Sequence, residues 1–204
     1  MKVASFRDVY DFRKSLSEES DRGSALLAGS YLDEQLKLLL LNKFVQDENI
    51  ADKIVSQNGP LGAFSARIDT AYLLGLISKS TFKDLHLIRK IRNDFGHSPR
   101  PIAFTDSPIS DRCGCFYHIT RKDTASPRAK FCNATLGVLA MIHATMHKTA
   151  PFPLMPDHPI TNELIDSTAE FADEMSKMTE HDALIAMDEF ERSIINRLKT
   201  NPSK

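Results

Sequence analysis

Apolar residues recur every three to four positions along most of this chain, an interval that lays a stripe down one side of an α-helix. The longest stripe is Ala25, Leu26, Gly29, Leu32, Leu36, Leu40 and Phe44, within residues 21–46, and Ser20 is placed to cap it. Residues 5–16 predict a shorter helix before it. Asn58-Gly59-Pro60 breaks the chain. Residues 62–77 are apolar on nearly every side through Phe64, Ile68, Tyr72, Leu73 and Leu76, which predicts a central, buried helix. Thr81-x-x-Asp84 reads as a capping box that opens the next helix, with the stripe Phe82, Leu85, Ile88, Ile91 and Phe95. Gly96 is expected just past the end of that helix, where a left-handed conformation would let His97 fold back beside Arg92, and Pro99 and Pro101 oppose continuation of the helix.

Residues 98–128 are the least regular part, compatible with a short helix or a strand pair. Residues 127–147 predict another long helix. The stretch TAPFPLMPDHPI (149–160) reads as a Pro-rich linker. One or two acidic amphipathic helices follow, with Met175, Met178, Met187, Phe190, Ile194 and Leu198 on the apolar side. The expected organisation is an all-α, multi-helix bundle over 1–148, a linker over 149–160 and a helical C-terminal extension over 161–204.

Composition limits what such a chain can be. A hydrophobic share of 42% and a charged share of 26% fit a globular protein with a core, and 204 residues fit one domain plus an extension. The Cys residues, 113, 115 and 132, are too few and odd in number for a disulfide scaffold, which points to a reducing compartment. The longest apolar run, around Leu38 to Leu41, is far short of the ~18 residues of a membrane span. The N-terminal MKVASFRDVYDFRK has no signal-peptide core. A cytoplasmic protein without membrane association is expected.

The net charge of −1 conceals an asymmetry. Residues 1–150 carry 21 basic and 16 acidic residues, whereas 151–204 carry 5 and 11. The most basic part, 79–130, holds 11 basic and 5 acidic residues and includes the stretch KIRNDFGHS (90–98). Basic surroundings suit a phosphate-rich ligand, although ordinary surface variation can produce the same count.

Several charges fall where apolar residues belong. At 100° per residue, Asp33 sits near the centre of the 21–46 stripe, and Arg92 falls at the edge of the apolar arc of its helix. Arg67 and Asp69 interrupt the apolar 62–77 segment. An unpaired buried carboxylate is costly, so a partly buried polar network is expected, with Arg22, Asp33, Arg67, Asp69 and Arg89 as candidates and Arg92 beside them. Arginine suits such a place because its planar fork serves two acceptors at once. Cys113-x-Cys115-x2-His118 lacks a zinc spacing, and His143 and His147 lack a third ligand, so no metal or other cofactor is expected.

ESDRGSALLAGSYLDEQLKLLL (19–40), GPLGAFSARIDTAYLLGLIS (59–78) and FKDLHLIRKIRNDFGHS (82–98) resemble the mannitol operon repressor, or MtlR-like, family. SPRAKF (126–131) fits the start of that family's last core helix. The resemblance covers about residues 15–147 and leaves the tail beyond 150 unexplained. It implies a helical bundle with a role in transcriptional control of a sugar-alcohol operon. No helix-turn-helix or zinc-finger pattern accompanies it, and the acidic C-terminus would repel DNA, so a regulator of this kind is expected to work through a protein partner.

A second resemblance is nested within the first. Arg92-Asn93-x3-His97 is similar to the Arg-x4-6-His motif of HEPN domains, which are helical bundles too and include many metal-independent endoribonucleases of toxin–antitoxin and defence systems. That resemblance implies Arg92 on the scissile phosphate of RNA, His97 as general acid or base, Asn93 and Asp94 orienting the pair, and a homodimer with two motifs facing one cleft. The leading expectation is therefore a regulator acting by protein association. The alternative is a HEPN-type ribonuclease or its inactive derivative, and a third reading is a dimer module whose polar network serves stability alone.

Overall fold

The computed structural model describes residues 6–119, 124–155 and 162–200. Residue 5, residues 156–160 of the Pro-rich stretch and the Leu198 side chain lie outside the described set. All regular structure among the described residues is helical: α1 (Phe6–Glu18), α2 (Asp21–Lys43), α3 (Glu48–Val55), α4 (Phe64–Leu73), α5 (Lys79–His97), α6 (Ile109–Gly114), α7 (Pro127–Lys148), α8 (Asn162–Met175) and α9 (Glu180–Thr200). The expected all-α class is the observed one, and the described residues of the irregular segment 98–128 contribute the short helix α6 and no strand. No helix among the described residues is long and apolar enough to cross a membrane.

The chain divides into two compact units, residues 1–152 and 153–204. In the first, α2 is the central element and packs on α1, α4, α5 and α7. Ser20 caps it as expected, its Oγ accepting the Gly23 N–H at 3.0 Å. Ala25, Ala28, Leu32, Leu36, Leu39 and Leu40 are fully buried along α2, facing Leu85, Ile88, Ile91 and Phe95 of α5 and Phe131, Val138, Leu139 and Ile142 of α7. Phe104, from the loop after α5, fills the space between Phe95 and Phe131, with ring centroids 4.9 Å from each. Ser126 caps α7 and Pro127 occupies its first turn, where a missing N–H costs nothing.

Three local expectations are corrected. The α4 segment is shorter than 62–77 and is not buried on every side: Leu73 is 83% exposed. Gly75, at φ 68°, turns the chain left-handed, and the N–H groups of Gly75 and Leu76 close the helix on Tyr72 O and Ala71 O, both at 2.9 Å. Leu76 and Ile77 therefore reach the core from beyond the turn rather than from the helix. The second correction concerns Thr81 and Asp84, which lie inside α5 and do not cap it. Ser78 is the cap, accepting from the Thr81 N–H at 3.2 Å.

The third correction concerns Gly96. Among the described residues Gly75 is the glycine with positive φ, and Gly96 stays helical. The helix runs on to His97 and ends where the Ser98 N–H closes on Asp94 O at 3.1 Å, just before Pro99.

The second unit is a pair of helices, α8 and α9, whose Phe171 and Phe190 rings stack 4.1 Å apart at 3°.

Candidate functional site

Most of the candidate residues lie on α5 or against it, and several contacts fix that helix in place. Arg22 of α2 donates to Ser98 O at 2.8 Å and to Arg100 O at 3.3 Å, holding the chain just past the helix end. Asp94 pairs with Arg112 of α6. Asp84, 1% exposed, accepts the backbone N–H groups of Tyr117 and His118 at 2.9 and 2.8 Å and lies 2.9 Å from His118 Nδ1. One buried carboxylate thus secures the segment that leads out of α6.

Asp33 and Arg67 meet where α2 crosses α4, Nη1 to Oδ1, at 2.7 Å. Arg67 also donates from Nε to Leu61 O at 2.8 Å and from Nη2 to Val55 O at 2.9 Å. Every nitrogen of this buried guanidinium has a protein acceptor, which makes it a strut between α2 and the loop ahead of α4. Burial pushes the Asp33 carboxyl above its ordinary value, against the pull of Arg67 and, more weakly, of Arg92.

Arg92 is different. It lies across Gly29 of α2, where an added Cβ would stand 2.8 Å from Arg92 Cγ and 3.2 Å from its Nε. The bare backbone at Gly29 is what lets the arginine cross there. Its Nε is enclosed yet has no hydrogen-bond acceptor among the described residues, and the same is true of Arg89 Nε. Arg89 opens onto a groove of ≈ 630 Å³ lined also by Phe82, Lys83, His86, Leu87, Lys90 and Cys115. His86 Nε2 lies 3.0 Å from Asp69 Oδ1, and Asp69 is exposed rather than inward as the sequence had suggested. With α4 confined to 64–73, Asp69 falls on the side of the helix away from Phe64, Ile68 and Ala71.

The expected network therefore resolves into separate contacts. Asp33–Arg67, Asp69–His86 and Arg22 with the 98–100 loop are separate contacts, and no acceptor among the described residues meets the Nε atoms of Arg89 and Arg92. His97 is exposed on the last turn of α5. Five helical residues separate it from Arg92, about 140° of rotation, so within one chain the two side chains leave the helix in different directions. Asn93 is half-buried, and Asp94 is engaged by Arg112.

Two polar centres have no counterpart in the sequence reading. One is Asp84. The other is Arg128 at the start of α7, which donates to Asp21 Oδ1 at 2.7 Å, to Ser24 Oγ at 3.0 Å and to Glu19 O, while Asp21 Oδ2 accepts the Phe104 N–H at 2.9 Å. The weaker metal-ligand candidates each have separate partners. Cys113 is buried, which pushes its thiol up to about 12, Cys115 Sγ bonds Asp111 O at 3.4 Å, and His118 is held by Asp84. Among the described residues no group of three or more His, Cys, Asp or Glu is placed to hold a metal. His143 Nε2 meets Gln35 Oε1 at 2.9 Å, and burial lowers its pKa.

Comparison with known proteins agrees with this architecture. Residues 14–141 match the mannitol repressor family, a span that takes in nearly all of the bundle. The chain belongs to the mannitol repressor family. Two curated members, the mannitol operon repressors of Escherichia coli strains K12 and O6:H1, are each 30% identical to it over 92 residues. That overlap is 43% of this chain, and the chain spans about half (47%) of each relative's length. A solved structure, that of the MtlR–HPr complex from Escherichia coli, shares the fold with a TM-score of 0.54 at 21% identity, over 66% of this chain and 98% of the chain compared. The α8–α9 unit lies beyond the family match.

Proposed function

We propose that this protein is a cytoplasmic transcriptional regulator of the mannitol repressor type that acts by binding a protein partner. The observation that carries this reading is the family match over 14–141, which coincides with the α2–α5–α7 core. A member of the fold was solved in complex with HPr, which makes HPr the first partner to test. The test is isothermal titration of the full chain with HPr, together with a transcript profile of a deletion strain. Saturable binding and derepression of a sugar-alcohol operon are expected. No binding and an unchanged transcriptome would end this reading.

A second reading has its own observation. Arg89, whose enclosed Nε has no acceptor among the described residues, shares one groove with Lys83 and Lys90, a basic lining that suits the oxyanions of an RNA backbone, while Arg92 lies on another side of the same helix. Incubation with single-stranded RNA in EDTA tests it. Cleavage abolished in both Arg92→Ala and His97→Ala would make the protein a ribonuclease. Binding without cleavage, weakened by Arg89→Ala, would make the face a phosphate cradle.

In this reading the working form is a homodimer.

A further inference from the structure

The α8–α9 unit is built like half of a larger bundle. None of its described side chains is buried. Leu184, Met187 and Ile195 line one side of α9 at 60%, 49% and 40% exposure, although the stacked Phe171 and Phe190 join the two helices. A pair of helices of this size has too little interior to bury such residues, and a second layer of helices normally covers them.

The charge pattern of α9 says what that layer is. Its first part, residues 180–191, carries Glu180, Asp182, Asp188, Glu189 and Glu191 and no Lys or Arg. Its second part, 192–200, carries Arg192, Arg197 and Lys199 and no Asp or Glu. A parallel neighbour with this sequence would set acid against acid. An antiparallel one, related by a two-fold axis through the middle of the helix near Phe190, sets the acidic half of each α9 along the basic half of the other. Asp188 then comes opposite Arg192 of the second copy, Ile195 comes opposite Ile185, and the exposed apolar sides of the two helices face each other. The helix thus offers an exposed apolar side and halves of opposite charge, both of which a two-fold antiparallel contact can use, although Glu189 and Glu191 beside the axis face each other.

We propose that α9 pairs antiparallel with α9 of a second copy, so that two α8–α9 hairpins form a four-helix bundle that dimerises the protein. This deepens the homodimer of the preceding reading by giving it a location, and it places that location outside the segment shared with the mannitol repressor family.

Sedimentation velocity on the full chain tests it. The wild type should sediment at twice the 22.9 kDa chain mass. Leu184→Glu/Met187→Glu should weaken the dimer at least about tenfold with unchanged helical circular dichroism, because two charges then face an apolar seam. Asp188→Arg alone and Arg192→Asp alone should each weaken it, and the double exchange should restore it. A wild type that is monomeric throughout the concentration range would overturn both the homodimer and its location. A dimer that survives all of these substitutions would overturn the location alone. HPr binding is read separately, so its failure would count against the partner reading and leave the dimer result standing.

Discussion

Two arginines, 25 residues apart in sequence, show what distinguishes a strut from an available charge. Arg67 has an acceptor for each nitrogen, two backbone carbonyls and Asp33, and is 6% exposed. Arg92 lies near the same carboxylate, but its enclosed Nε has no acceptor among the described residues, and the room it occupies is provided by a glycine. A buried cation whose hydrogen bonds are complete has nothing left to offer a ligand. One that is half-enclosed and incompletely bonded keeps that capacity, at some cost to the fold. The α2–α4 junction is closed by a complete set of hydrogen bonds, whereas the Nε atoms of Arg89 and Arg92 on α5 have none among the described residues.

The contrast can be broken at either arginine. The largest effect is expected from Arg67→Ala, which leaves Asp33 without its hydrogen-bonded cation and frees the loop ahead of α4. Urea unfolding should report a loss of about 3 kcal/mol. A loss no greater than that of Arg92→Ala would remove the distinction between the two.

An intermediate effect is expected at Gly29. Alanine there would gain helix propensity but press its Cβ on Arg92 Cγ and Cβ, which are near the backbone and slow to yield. The substitution should destabilise by about 1 kcal/mol when Arg92 is present and by clearly less when Arg92 is alanine, whose remaining Cβ still stands 3.2 Å away. A double-mutant cycle measures that difference.

The smallest effect is in the pH profile. Burial lowers the His143 pKa, so the unfolded chain takes up a proton at higher pH than the native one. Its contribution is intact above the ordinary value of 6.5 and is lost as pH falls through 6.5 toward the lower native value. Asp33, raised by burial, acts in the opposite sense. Its contribution grows as pH falls through the native value and is complete below the ordinary 3.8. His143→Gln should therefore flatten the loss of stability just below pH 6.5, and Asp33→Asn should leave that window unchanged.

Much of the bundle was legible because its signals are local. Most of the predicted stripe (from Ala25 to Leu40, but without the exposed Leu26), the Ser20 cap and the helix from Pro127 all follow from residues within a few positions of one another. The errors came from local signals that compete. Thr81-x-x-Asp84 has capping-box spacing, but Ser78 caps α5 and frees Asp84 for a segment 33 residues away. Gly96 has the look of a helix stop, yet Gly75 is the residue that turns left-handed, because Leu76 and Ile77 must re-enter the core there. At the candidate site, the sequence raised Asp33, Arg67 and Arg92 as charges out of place, but the choice of Arg67 as the partner depends on where α4 begins. The Arg128–Asp21 pair joins residues 107 apart, a separation for which periodicity carries no signal.

The end of the first unit is tied down more firmly than its Pro-rich sequence suggests. Phe152 N–H bonds Lys43 O at 2.8 Å, Lys43 Nζ bonds Ala150 O at 3.1 Å and stands 4.0 Å from the Phe152 ring centroid, and Asn42 reaches Met146 O and Thr149 O. All of these contacts are complete by residue 152. In engineering terms, that makes the following position a splice site: a reporter, a tether or a different oligomerisation cassette joined there would inherit a finished bundle, with no bond of the clasp left to rebuild.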